Sequence, residues 1–327
     1  MNDVNCATKR QWICRHRVPL LSALAVIAYI AFIEWLFGWE TVLAQWRALG
    51  FLPVVAASAL MLASYLLRTW RIHDYFQKET TGNFARLFRV TQVHNVLNIM
   101  LPFRTGEISF PVLMKTEFGI SIIRATSALF VMRLLDLHAL LAAGTFGIVF
   151  ETNRPPVGRL VWILFLLLPA FAYAFRRPVF RLFADWAPQR FQPIGAELEA
   201  GLPTNALLFI RAWIMTLINW FAKMAMLVIL LGYLGLESVA AAFGGALGGE
   251  LSSVLPIHAP AGVGTYPAAI TAGALAFGGG GVPEARENLS RASINLHLLI
   301  VVAALAGVIV SLAVDRAYSL LERANSE

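Results

Sequence analysis

The sequence predicts an all-α, polytopic integral membrane protein, a bundle of about six to eight helices with two broken segments. Of the 327 residues, 58% are hydrophobic and only 14% are charged, whereas soluble domains carry about a quarter charged residues. Long apolar runs recur along the chain, many of them close to the roughly 20 residues that a helix needs to cross a bilayer. Because so apolar a chain cannot cover its surface for water, lipid is its natural solvent.

The apolar runs are grouped as one transmembrane domain, residues 18–314, between a basic tail of residues 1–17 and a second tail of residues 315–327. The first run is longer than the core of a signal peptide and lacks a small-residue cleavage site after it, so we interpret it as a retained helix. Pattern and length place the runs at Val18–Phe37, Phe51–Leu67, Arg124–Phe150, Leu160–Phe175, Ala206–Leu234, Val239–Leu255, Thr265–Gly278 and Ser293–Val314.

Lys and Arg in the predicted loops set the orientation, because cytoplasmic loops carry an excess of both residues. Both termini are predicted to face the cytoplasm, in the cytoplasmic (inner) membrane. This topology takes Arg68 and Arg71 as residues of the loop after the second span. The cytoplasmic side then holds Lys9, Arg10, Arg15, Arg17, Arg68, Arg71, Lys78, Arg86, Arg89, Arg176, Arg177, Arg181 and Arg190, against Arg47, Arg154, Arg159, Arg286 and Arg291 outside.

Two stretches, residues 90–113 and 239–278, are predicted to be re-entrant or broken helices. The first contains VLNIMLPFRTGEISFP (96–111) and the second ELSSVLPIHAPAGVGTYP (250–267). In both, an apolar helix ends at Leu-Pro, a glycine-containing turn follows, and small and apolar residues lead to another proline. An inverted repeat whose broken helices meet near the midplane explains the likeness; chance similarity of two Pro/Gly breaks is the alternative.

Charged side chains inside the apolar segments mark the candidate site, because each costs at least about 2.5 kcal/mol at a helix centre. Arg133 and Asp136 stand three residues apart in the third span, on one helix face. Lys223 lies near the middle of the fifth span, and the first broken segment adds Arg104 and Glu107. Arg suits a phosphate because its guanidinium fork binds two oxygens at once.

Simpler interpretations stay open for several of these charges. Arg133 and Asp136 could form a structural ion pair between helices, and Lys223 could extend to the membrane interface. Glu250, in the second broken segment, could be structural or functional.

Motifs for other functions are missing from the sequence. There is no HExxH, Walker loop or GxSxG motif, and the histidines do not cluster at metal-ligand spacing. The net charge of +7 is explained by basic cytoplasmic loops near anionic lipid, since no basic patch is interleaved with aromatic residues. We therefore expect no catalytic residue, metal or cofactor, and no nucleic-acid partner.

Three motifs, in order and spacing, resemble the lysylphosphatidylglycerol synthase/flippase transmembrane-domain family: NIMLPFRTGEISFPVLMK, VMRLLDLHALL and LPIHAPAGVGTY. The resemblance covers about Leu20 to Val314 and implies a membrane domain that moves lipids between leaflets. The aminoacyl-transferase domain of full-length bacterial members is not expected here, since only a short tail follows Val314. The implied substrate-binding positions are Asn98, Pro102, Arg104, Gly106, Glu107, Arg133, Asp136, Pro260, Gly262, Gly264 and Tyr266, to which we add Lys223.

The sequence departs from the family pattern in two motifs. Met132 stands where the family usually has Glu, Ala261 replaces a Gly, and Pro267 stands where another Glu is expected. The resemblance therefore does not supply a carboxylate in the second broken segment at the position where the family usually has one.

The leading hypothesis is a lipid transporter for a phospholipid or an isoprenoid phosphate. Arg104 and Arg133 would bind the phosphate with help from Lys223, while Glu107 and Asp136 orient the guanidinium groups. One alternative is an intramembrane enzyme acting on a lipid or polyprenyl phosphate, with Glu107 or Asp136 as general base. Another is a non-catalytic partner of a membrane lipid or glycosyl transferase. The sequence leaves the oligomeric state open.

Overall fold

The structure is a computed structural model that describes residues 27, 30–35, 38–149, 156–186, 188–254, 259–279 and 283–324. Nearly all of them are helical, and no β-strand occurs within these ranges. The predicted all-α class is confirmed. The basic tail of residues 1–17 and most of the predicted first span, Val18–Phe37, lie outside the described residues; Ile27 and Ile30–Trp35 are helical.

The helices are numbered here in chain order from residue 39. Three short 3-10 helices, Pro102–Ile108, Gln189–Phe191 and Pro260–Gly262, interrupt the series. The α-helices are α1 Trp39–Leu49, α2 Phe51–Tyr75, α3 Gln77–Thr80, α4 Phe84–Met100, α5 Ser109–Phe118, α6 Ile122–Val149, α7 Pro156–Trp186, α8 Gln192–Ala200, α9 Ala206–Tyr233, α10 Val239–Val254, α11 Thr265–Ala276 and α12 Pro283–Ala324.

Five helices of the described chain are long and apolar enough to cross a membrane: α2, α6, α7, α9 and α12. The predicted number of about six to eight does not match this count. Two predicted spans instead form α10 and α11, of 16 and 12 residues. At about 1.5 Å per residue, both are shorter than the roughly 30 Å hydrocarbon core.

Helix α9 lies at the centre of the bundle and contacts α2, α6, α10 and α12. Leu227 and Leu231 of α9 are fully buried in the largest apolar cluster, which also contains residues of α2, α6 and α10–α12. The second predicted broken segment is an antiparallel pair, α10 against α11. A Cβ atom on Gly244 would lie 2.4 Å from the carbonyl oxygen of Gly273, so only glycine allows this close approach.

Both predicted breaks are present as interruptions of the helices. Phe103 and Arg104 adopt left-handed backbone angles between α4 and α5, and Ala261 does so between α10 and α11. The glycine of the first break is sterically required, because a Cβ atom on Gly106 would lie 2.3 Å from the carbonyl oxygen of Leu97. The two 3-10 turns contact each other. The two interruptions therefore lie against each other.

Candidate functional site

Charged side chains from five helical segments converge beside the two breaks. Residues three apart share a helix face, which aims pairs such as Arg68 with Arg71 and Arg133 with Asp136 at the same region. We call the charged set the central cluster: Arg68 and Arg71 of α2, Arg104 and Glu107 of the first break, Arg133 and Asp136 of α6, Lys223 of α9 and Glu250 of α10. It contains five cations and three carboxylates.

Asp136 is the hub of one half of the central cluster. It is 1% exposed and accepts hydrogen bonds from both terminal nitrogens of Arg71, at 2.8 and 3.3 Å. The indole Nε1 of Trp220 donates to the same carboxylate at 3.1 Å, and Arg133 Nη1 lies 3.7 Å away. Arg71 also donates to Thr216 Oγ1 at 2.5 Å. This carboxylate is therefore fully engaged, as a buried charge must be.

Glu107 joins the first break to α6. Its Oε1 atom accepts from Arg104 Nη2 and lies 2.9 Å from Arg133 Nε. The other terminal nitrogen of Arg104 donates to the backbone carbonyl of Val254, at the C-terminal end of α10. Carbonyls at a helix end have no partner within the helix, so Arg104 both caps α10 and connects the two broken segments.

Lys223 and Glu250 form the other half of the central cluster. Lys223 Nζ donates to Glu250 Oε2 at 2.7 Å, and the Tyr266 hydroxyl donates to Glu250 Oε1 at 2.8 Å. Lys223 also lies over the ring of Trp220, 5.3 Å from its centroid. Glu250 thus supplies a carboxylate from the second broken segment, in which Pro267 replaces the Glu of the family pattern.

Arg68 differs from the other cations of the central cluster. Its guanidinium lies 5.7 Å from the centroid of the Trp220 ring, and it makes no ion pair or hydrogen bond with any residue that the structure describes.

The assignment of Arg68 and Arg71 to a cytoplasmic loop is wrong, because α2 continues to Tyr75 and carries both into the cluster.

Two connected polar cavities lie among these side chains. One, of about 40 Å³, is bordered by Arg71, Gln92, His94 and Asp136; the other, of about 80 Å³, by Asn98, Arg104, Lys223, Glu250 and Tyr266. Tyr65, Arg68, Asn95 and Arg133 line both. Each is large enough for water, which needs about 10–15 Å³ and polar partners.

The predicted site residues thus fall into two groups. Asn98, Arg104, Arg133, Asp136, Lys223 and Tyr266 line the polar cavities, and Glu107 is paired with two of them. Pro102, Gly106, Pro260, Gly262 and Gly264 shape the two breaks, Gly262 and Gly264 through left-handed backbone angles. Whether they bind substrate stays a prediction. Sequence reasoning missed Arg68 as a site residue, and the available signal was an Arg directly after the apolar run Phe51–Leu67 and one helical turn before Arg71.

Two apolar grooves, of about 350 and 500 Å³, lie on other faces of α6. The larger runs between α6, α7, α9 and α10 and is lined by Leu140, Phe146, Trp162, Phe221 and Trp220. Since Trp220 also borders the larger polar cavity, one side chain separates a polar from an apolar space.

Among the described residues, no group of three His, Cys, Asp or Glu side chains could hold a metal ion.

Residues 20–286 match the family described as "Lysylphosphatidylglycerol synthase TM region". The chain belongs to this family. The predicted resemblance is confirmed, although the match ends at residue 286 rather than near Val314, so that most of α12 lies beyond it. No curated protein and no solved structure matches the chain.

As a member of the lysylphosphatidylglycerol synthase TM region family, with five helices able to span a bilayer, the chain is a multi-pass membrane protein with a lipid-related role. Every residue of the central cluster lies within the matched range. Met132 and Pro267, which depart from the family pattern, are both buried.

Proposed function

We propose that this protein moves a phospholipid or an isoprenoid phosphate between the leaflets of the cytoplasmic membrane. The phosphate-bearing headgroup passes through the polar cavities of the central cluster while the tails stay in lipid. Arg104, Arg133 and Lys223 supply positive charge along this path, and Glu107 and Asp136 hold the guanidinium groups in place.

The observation that supports the proposal is a set of charged side chains around two small cavities, in an apolar helical protein of a lipid-related membrane family. Charges inside a membrane protein are costly and mark substrate pathways or structural pairs. Here cations outnumber carboxylates and face cavities beside two helix breaks. Irregular backbone at membrane depth is tolerated where it lines a water-filled space, which supports a path for a hydrated headgroup.

A reconstitution assay tests this proposal. Purified protein would be reconstituted in liposomes that contain an acyl-labelled fluorescent phosphatidylglycerol. A membrane-impermeant reductant, which bleaches only label in the outer leaflet, would report the rate at which the lipid crosses from the inner leaflet. We expect Arg104→Ala to slow crossing at least about tenfold, the scale of one charge-assisted hydrogen bond. The control, Arg86→Ala, alters an exposed residue of α4, and the lipid should cross at the wild-type rate in this variant. Equal rates for wild type and Arg104→Ala would contradict the proposed site.

The lipid should leave the protein chemically unchanged. Glu107 and Asp136, the candidate general bases, are both ion-paired with arginines, so each carboxylate is already held by cationic partners. Mass spectrometry of the lipids after the assay checks this point, and a new lipid product would favour an intramembrane enzyme. A co-purifying transferase, together with no crossing by the protein alone, would favour the partner role.

The two broken segments are proposed to be re-entrant, entering the membrane from opposite faces as halves of an inverted repeat, with both termini in the cytoplasm. In support, each break is flanked by helices that contact each other, α4 with α5 and α10 with α11. Epitope tags at the two termini and in the turn after α11 would test the topology. Accessibility of both termini from outside the cell would contradict it.

A further inference from the structure

We propose that Arg68 binds the phosphate of the transported lipid, and that the cavity selects an anionic headgroup bearing hydroxyls over one bearing an amine. The proposal rests on the proposed function for the lipid nature of the ligand. Binding, however, can be measured without transport, so the two can fail separately.

The charge balance of the central cluster singles out Arg68. Each of the three carboxylates already has a cationic partner: Asp136 has Arg71, Glu107 has Arg104 and Arg133, and Glu250 has Lys223. Arg68 is the cation of the cluster without an ion pair to any described residue. A desolvated cation is unfavourable unless an anion compensates it, and the guanidinium fork fits two phosphate oxygens.

Neutral amides line the same cavities as Arg68 and supply contacts for the uncharged hydroxyls of the headgroup. Gln92 is 1% exposed, and both polar atoms of its amide have no hydrogen-bond partner among the described residues. The same holds for Asn95 Nδ2 and Asn98 Oδ1. Amide groups both donate and accept, as hydroxyls do. Gln92 and Asn95 border the smaller cavity and Asn98 the larger, with Arg68 on both.

The same cluster disfavours a headgroup that carries an amine. An ammonium group in an apolar bundle needs a carboxylate partner, and Glu107, Asp136 and Glu250 are all occupied by cations of the protein. An added ammonium would also meet the excess positive charge of the cluster, and like charges brought together cost binding energy. Phosphatidylethanolamine, which has the same phosphate with an attached primary ammonium, is therefore the discriminating comparison.

The test is ligand-dependent thermal stability of the full chain in an uncharged detergent. Three probes would be titrated: dihexanoyl phosphatidylglycerol, dihexanoyl phosphatidylethanolamine and inorganic phosphate. A ligand that binds the folded state raises the melting temperature, and the rise increases with the logarithm of its concentration relative to its dissociation constant. We expect phosphatidylglycerol to produce a given rise at a concentration at least about tenfold below that needed for either other probe.

Asn95→Asp is the decisive variant, because it is nearly isosteric and places a carboxylate in the cavities that Arg68 lines. The new carboxylate should pair with Arg68 and compete with the phosphate. Affinity for phosphatidylglycerol should fall at least about tenfold, the scale of a charge-assisted hydrogen bond, with no loss of melting temperature in the unliganded protein. Arg68→Gln should show the same loss of affinity, and Arg86→Gln should bind as wild type does.

Three results would overturn the inference. Wild-type affinity in a folded Asn95→Asp or Arg68→Gln protein would remove Arg68 from the site. Equal affinity for the two lipids would refute discrimination against the amine. The same rise in melting temperature with inorganic phosphate at lipid-like concentrations would show a site for the free ion rather than for a lipid. Failure of lipid crossing in liposomes, with binding intact, would count against the transport proposal alone.

Discussion

The buried pair of Lys223 and Glu250 tests how the central cluster is held together. The two side chains are 10% and 1% exposed, and Nζ lies 2.7 Å from Oε2. Removing one partner of a buried pair costs about 3–5 kcal/mol, because the other charge stays in apolar surroundings. We expect Lys223→Met and Glu250→Gln each to lower the free energy of unfolding by about this amount. The Gln variant falls at the low end, since an amide oxygen still accepts from Tyr266.

The double variant Lys223→Met/Glu250→Gln removes both charges together and should cost less than either single change. Because each single change costs about 3–5 kcal/mol, this implies a coupling energy of at least about 3 kcal/mol, at the upper end of the range for groups in direct contact. The assay is unfolding in mixed micelles, followed by circular dichroism. The exposed pair Arg291–Glu287 on α12, 2.5 Å apart, is the matched control and should couple by less than about 1 kcal/mol. Additive losses at Lys223 and Glu250 would refute the reasoning.

Further substitutions test the breaks and the wall of the cavity, each by thermal unfolding in detergent. Gly106→Ala should destabilise by about 1–3 kcal/mol through overpacking against α4, whereas Gly158→Ala, which meets open space, should not destabilise. Ala261→Gly should stabilise by up to about 1 kcal/mol, because its φ of 55° strains any residue with a Cβ atom. Trp220→Phe should cost about 1.5–3 kcal/mol by removing the charge-assisted bond to Asp136; no loss in that variant would question the hydrogen bond.

Local spacing was enough to predict part of the site but not its partners. Arg133 and Asp136 lie three apart in one helix, so their pairing could be expected from the sequence. The stronger partner of Asp136 is Arg71, 65 positions earlier in the chain, and the packing of α2 and α6 against α9 brings it there. Hydropathy ended the second span at Leu67 because arginine is unfavourable in lipid, although inside the bundle Asp136 pairs with Arg71 and the indole of Trp220 lies beside Arg68.

The helix count failed for a related reason. Composition marks α10 and α11 as apolar, but their lengths of 16 and 12 residues suit a hairpin packed inside protein rather than two spans. Glycine at positions such as Gly244 was the visible signal, since small residues let two helices approach closely. The carboxylate of Glu250 became interpretable only when Lys223 and Tyr266 were seen to contact it.

Chemical labelling tests whether the central cluster lies in water at membrane depth. After Cys6 and Cys14 are changed to Ser, a single cysteine at Ser253 borders the larger polar cavity, and one at Ala225 borders the larger apolar groove. A methanethiosulfonate reacts with the thiolate, which forms only where water or a cation stabilises it. We expect Ser253→Cys to react at least about tenfold faster than Ala225→Cys, the control, since thiol ionisation in lipid is disfavoured.

The charge of the reagent adds a second measurement on the same protein. Because five cations face three carboxylates around the cavity, a negatively charged methanethiosulfonate should label Ser253→Cys faster than a positively charged one of similar size. Like the proposed lipid phosphate, the anionic reagent is drawn to the unpaired Arg68. Arg68→Gln should therefore reduce the difference between the rates at which the two reagents label Ser253→Cys, without changing the labelling rate at Ala225→Cys. Faster labelling by the cationic reagent would mean that the cavity does not present net positive charge to a ligand. This result would contradict both the proposed preference for anions and the proposed role of Arg68.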